Sequence, residues 1–150
     1  MTGPLHLDDE SPERLWQLLD ERGWGDGLPV VAPTVERVDA ALAAAGGDPD
    51  EVIAILPPRG GRATRRDIAV NAVMAGCEPA TVTVVVAAVR ALGHHDLNLR
   101  GVNATTHPVA PLVIVHGRAA TELDFNAGLG AFGPGNRANA TVGRAVRLVL

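Results

Sequence analysis

The sequence predicts an α/β fold, with several helices packed on a small mixed sheet, in a single domain covering residues 1–150. Three observations lead there. Helix-start signals recur along the chain, each followed by apolar residues at helical spacing. Short apolar runs bounded by turn residues lie between them, the pattern of buried strands. Apolar residues make up 47% of the 150, enough for one substantial core.

The elements follow in order. Ser11 caps a helix that opens on Pro12 and carries Leu15, Leu18 and Leu19 on one stripe to about Arg22. Gly23-Trp24-Gly25-Asp26-Gly27 is a loop whose glycines allow unusual backbone angles, and Val30-Val31 reads as a short strand. Pro33-Thr34 opens a second helix from Val35 to about Ala45, closed by Gly46-Gly47. Glu51 to Leu56 reads as a buried strand ended by Pro57-Pro58, followed by a turn rich in Gly and Arg, Arg59 to Arg62. Thr64 and Asp67 have the spacing of a capping box, with a helix continuing to a stop at Gly76. Ala80 to Leu92 is read as helix from its length and the leading Pro79, although the β-branched run Thr81 to Val86 pulls toward strand. A polar stretch from Gly93 to Pro108 follows, and Pro111 to Gly117 is the clearest strand of all. Asn139-Ala140-Thr141 begins a final helix that runs to Leu150.

Composition excludes several chemistries. All thirteen positive side chains are Arg, scattered over a chain of net charge −4, so no basic stripe suits a nucleic-acid backbone. No apolar run has the length to cross a membrane, and the N-terminus has no signal-peptide pattern, so a cytoplasmic protein is expected. The absence of Lys rules out a lysine Schiff base and a P-loop lysine. Without Tyr, and with Ser11 as the sole serine, phenolic acids and a nucleophile elbow are gone too. Cys77, five His, the carboxylates and Thr2 (if Met1 is removed) remain.

Cys77 is the first candidate, because a thiolate is intrinsically nucleophilic. Its address at a helix C-terminus before Glu78 works against activation unless an Arg or a protonated His approaches from elsewhere, and a small buried hydrophobe is the plainer role. His94, His95, His107 and His116, with Asp96, form a second constellation. They offer acid/base chemistry or a metal site, although no metal-ligand spacing is present. Gly128 to Thr141 places Asn136, Arg137 and Asn139 where a helix N-terminus could seat an anion, or simply cap a helix after a flexible turn. Asp26 between glycines is a site residue or ordinary turn chemistry. Arg65 and Arg66 oppose their own helix dipole, which suggests a negative partner from outside.

Asp26, Cys77, His107, His116, Asn136, Arg137 and Asn139 fall in four blocks: GWGDGLPVVAPT (Gly23 to Thr34), AVNAVMAGC (Ala69 to Cys77), NATTHPVAPLVIVHG (Asn103 to Gly117) and FGPGNRANATVGRAVRL (Phe132 to Leu148). With them the chain resembles a family of uncharacterised bacterial proteins marked by the same blocks, of which it looks like the N-terminal half. The resemblance implies a site built from Asp26, Asn71, Cys77, Thr106, His107, Asn136, Arg137 and Asn139. It also implies a second protein subunit that completes the fold or the site.

The expectation is a cytosolic enzyme subunit acting on a small anionic substrate, with Cys77 as nucleophile or redox group, His107 as acid/base and Arg137 holding negative charge. The alternatives are a metal-dependent lyase or hydrolase using His94, His95, His107 or His116, or a non-catalytic partner in a hetero-oligomer. No cofactor can be named from the sequence.

Overall fold

The computed structural model describes Leu7 and residues 11–150, so Thr2 and the N-terminal segment lie outside the described residues. Within them are seven α-helices: α1 (Pro12–Glu21), α2 (Val35–Ala45), α3 (Arg65–Ala75), α4 (Val82–Leu92), α5 (Leu99–Ala104), α6 (Arg118–Glu122) and α7 (Arg137–Val149). Two strands, β1 (Val52–Leu56) and β2 (Gly61–Thr64), complete an α/β architecture. No described helix is long and apolar enough to cross a membrane.

The helix starts are where local chemistry places them. Ser11 and Thr34 each accept a hydrogen bond from the backbone N–H three residues on, and Thr64 and Asp67 form the full capping box. The end of α3 is equally specific. Gly76, at φ 89°, lets its N–H reach the Val73 carbonyl while the Cys77 N–H reaches Ala72 O at 2.9 Å, a Schellman closure.

Helix α3 is the central element, packed on α7, α2 and α4. It is buried nearly all round, through Ile68, Ala69, Ala72, Val73, Met74 and Ala75, and this is the mark of a core helix rather than a surface one. Its alanines and the fully buried Ala145 of α7 suit a close approach of the two helices. Val82, Val85 and Val89 of α4 close the other side of the core. The β-branched run of α4 is thus accommodated in a helix because each of these valines meets core, where packing overrides propensity.

The sheet differs from expectation. It is not mixed but a two-stranded antiparallel hairpin, pairing Ala54 with Ala63, Ile55 with Arg62 and Leu56 with Gly61, and its register shifts between Val52 and Ala54. β2 falls in what reads as turn and cap, since Gly and Ala are poor strand formers. Proximity to β1 across a short turn recruits it. Val30-Val31 joins no sheet; the Val31 N–H instead donates to Met74 O at 3.1 Å. The largest departure is Pro111 to Gly117, which is neither strand nor helix. Its composition favours an extended chain, but a strand needs a ladder partner, and residues 110–116 reach neither open edge of the β1–β2 hairpin with a backbone hydrogen bond. α5 and α6 also went unread: α5 is capped by Asn98, whose side chain accepts from the Gly101 N–H, and is anchored by the buried Leu99.

Arg65 and Arg66 find their negative partners within the chain. Arg65, 8% exposed, pairs with Glu51 at the foot of β1, and Arg90 of α4 reaches the same carboxylate at 3.0 Å. Arg66 lies 3.4 Å from Asp50. Arg65, then Arg90, holds the Glu51 carboxyl below its ordinary range.

Candidate functional site

Cys77 is buried, at the position after Gly76 where a Schellman closure commonly carries an apolar contact. Arg137, at the start of α7, comes to the same place, donating to Gly76 O at 3.0 Å and to Glu78 Oε1 at 2.9 Å. The tertiary fold therefore brings Cys77 and Arg137 together and neutralises Glu78. Arg137 itself is spent on these acceptors rather than held open for an anion.

Burial nonetheless pushes the Cys77 thiol up, outweighing the Thr141 and Thr81 hydroxyls and the Arg137 charge. The hydroxyls help a thiolate less than their proximity suggests. Each has one proton, and Thr81 gives its proton to Glu78 O at 2.8 Å, while Thr141 gives its proton to Arg137 O at 2.8 Å. What remains facing the sulfur is lone pairs, which favour S–H over S⁻.

Asp26 accepts two hydrogen bonds from Arg144 of α7, at 2.7 and 2.8 Å, and one from the Leu28 N–H at 3.2 Å. This fork-to-fork pair holds its carboxyl down to about 2, chiefly through the Arg144 hydrogen bonds. Such a carboxylate is a weak base, and here it ties the glycine loop to α7. Asn136 caps α7 by accepting from the Asn139 N–H, and donates to Asp124 O at 2.7 Å. Asn139 accepts from the Asn126 N–H at 3.0 Å and donates to Asn126 O and Ala131 O at 2.9 Å each. These amides clasp the Gly-rich loop onto α7, which opens at Arg137, two residues before the expected Asn139.

The histidines separate. His107 is exposed, with its Nδ1 3.3 Å from Thr105 Oγ1 and its N–H donating to the same oxygen at 3.1 Å; among the described residues no hydrogen bond links it to Cys77. Thr106 beside it is exposed, as is His116. His94, His95 and Asp96 do group, in a loop where adjacent side chains can converge. One ligand atom from each lies within 4.8 Å of the others, and His95 Nδ1 is 2.7 Å from Asp96 Oδ1. All three are exposed, and among the described residues they are the group that could hold a metal ion. His107 and His116 are not part of that group.

Asn71 lies elsewhere, on a polar cleft of about 410 Å³ between the β1–β2 turn and the end of α7. Its amide donates to Asp67 O at 2.8 Å, and across the cleft Asn103 donates to Pro57 O at 3.1 Å. Arg59, Arg62 and Arg147 share the lining. In the sequence Arg59 to Arg62 is a turn and neither Asn103 nor Arg147 carries a signal of its own; no local pattern marks residues that meet through folding.

A second, apolar groove of about 630 Å³ separates α4 from residues 111–116. Along those residues burial alternates, Pro111, Val113 and Val115 partly covered and Leu112, Ile114 and His116 exposed, which is the period of an extended chain. Leu112 is 67% exposed and Ile114 75%. No backbone hydrogen bond is made by residues 110–116 to any described residue. No family model, no curated protein and no solved structure matches this chain.

Proposed function

We propose that this chain is one subunit of a cytosolic enzyme acting on a small anionic substrate, and that a second polypeptide completes it by adding a strand along Pro111 to His116. The unpaired segment carries the reading. It has strand-forming composition and an apolar outer face, and it contains no charged residue between His107 and His116 to oppose a neighbouring chain. Such an edge is an open template, and covering Leu112 and Ile114 contributes about 1–2 kcal/mol each.

Amide hydrogen exchange on the purified chain and on the native assembly tests this. Amides of Leu112 to His116 should exchange near the unprotected rate in the isolated chain and at least a hundredfold more slowly in the assembly. Ile114→Lys should leave the isolated chain's stability within about 0.5 kcal/mol, as for other exposed sites, and lose the partner. Protection already present in the isolated chain, or an intact assembly with Ile114→Lys, sinks the proposal.

Thiol chemistry at Cys77 is the second reading, favoured by the approach of Arg137 and opposed by burial. Its reactivity then depends on a partner that opens the pocket. Iodoacetamide at pH 7 is expected to modify the isolated native chain at least tenfold more slowly than the denatured one, and the assembly faster than the isolated chain. An assembly no more reactive than the isolated chain counts against this reading.

A further inference from the structure

Three arginines with no ion pair or hydrogen bond among the described residues line one cleft, and we infer that it seats a small dianion: a short dicarboxylate or a phosphate monoester. This deepens the anionic-substrate half of the function proposed above and rests on it, but it does not depend on the second polypeptide.

The pairing of the arginines across the molecule is what singles the cleft out. Arg14, Arg65, Arg66, Arg90, Arg118, Arg137 and Arg144 each face a carboxylate. Arg37 donates to Ala32 O at 3.0 Å, and Arg22 lies over the Trp24 ring. Only Arg59, Arg62, Arg100 and Arg147 make no such contact among the described residues, and all but Arg100 line this cleft. They come from the hairpin turn, β2 and α7, so the gathering is a product of the tertiary fold.

The one side-chain carboxylate in the lining is Asp67, and it is engaged, accepting from the Thr64 N–H at 3.0 Å and from Thr64 Oγ1 at 2.6 Å. In a chain of net charge −4, three arginines therefore line a common space in which no described side-chain carboxylate is free to pair with them. Guanidinium forks match carboxylate and phosphate oxygens, often two bonds at a time. A volume of about 410 Å³ suits a small molecule rather than a polymer. Leu56, Ala63 and Val149 supply an apolar wall for a short carbon skeleton. With their amide N–H groups already donating to backbone, Asn71 and Asn103 keep carbonyl oxygens able to accept from a ligand hydroxyl.

The test uses succinate and inorganic phosphate as probes, titrated at constant ionic strength against the isotopically labelled chain, with acetate as the monoanionic control. Amide resonances of Gly61 to Ala63, Asn71 and Asn103 should shift saturably with at least one dianion and at least tenfold more tightly than with acetate. Saturation by succinate alone identifies a carboxylate seat, and by phosphate alone a phosphate seat; both outcomes support the proposal. Arg62→Gln and Arg147→Gln remove no ion pair and should keep the fold by circular dichroism while weakening binding at least tenfold. Arg100→Gln, unpartnered but outside the cleft, should stay within twofold. Loss of binding in Arg100→Gln equal to that in Arg62→Gln, or dianion affinity no better than acetate, overturns the assignment. Either result leaves the exchange behaviour of Leu112 to His116 untouched, so failure here and failure of the subunit reading are separately visible.

Discussion

Asn139→Ala is expected to destabilise the chain by about 2–4 kcal/mol and to release residues 126–135 from α7. The side chain makes three hydrogen bonds to backbone groups, at Asn126 N, Asn126 O and Ala131 O. A hydrogen bond contributes about 1 kcal/mol net, and unpaired backbone groups left half-buried add to the loss. For a domain of this size the melting temperature should fall by about 10 °C. Asn139→Asp retains the acceptor but sets a charged oxygen against the Asn126 and Ala131 carbonyls, so it should be at least as damaging. Unchanged melting, with exchange in 126–135 no faster than wild type, would show that the loop holds itself. The measurement also separates two roles for this residue: a purely ligand-directed Asn139 would reduce binding without moving the melting temperature.

Gly47→Ala is expected to cost about 2–4 kcal/mol, from two sources. Gly47 has φ 79°, where an L side chain is strained by about 1–2 kcal/mol. A Cβ there would also sit 2.9 Å from the Arg65 guanidinium carbon. Arg65 is not free to swing aside, because it is buried and paired with Glu51, and displacing it would strand a cation in the interior. Gly60→Ala isolates the backbone part: φ is 71° and nothing lies within 4 Å of the added carbon, so it should cost only about 1–2 kcal/mol. Equal losses from chemical denaturation of the two variants would mean that Arg65 gives way easily.

Much of the helical framework was legible because its signals are local. Ser11, Thr34 and the Thr64–Asp67 box act within three residues of themselves, and Gly76 ends α3 through its own backbone angle. Strands were harder. β1 was readable as an apolar run between turn signals, but β2 exists because β1 is beside it, and Pro111 to Gly117 has strand composition without a strand beside it. Propensity records what a segment tolerates; pairing requires a second segment.

The candidate site divides along the same line. Cys77 at a helix end and the loop around Asp26 could be placed from sequence, and the start of α7 to within two residues, since each depends on its immediate neighbours. Their partners could not. Arg144 meets Asp26 across 118 positions, Arg137 meets Glu78 across 59, and Arg59, Arg62 and Arg147 share a cleft only once α7 lies against α3. By itself the sequence determined the capped starts of α1, α2 and α3, the glycine stop of α3, the reactive groups present and the absence of lysine and tyrosine chemistry. Tertiary structure decided which charges are neutralised and which remain open. Capping and turn geometry are settled over a few bonds, whereas the pairing of charges depends on distances that only the packed core sets.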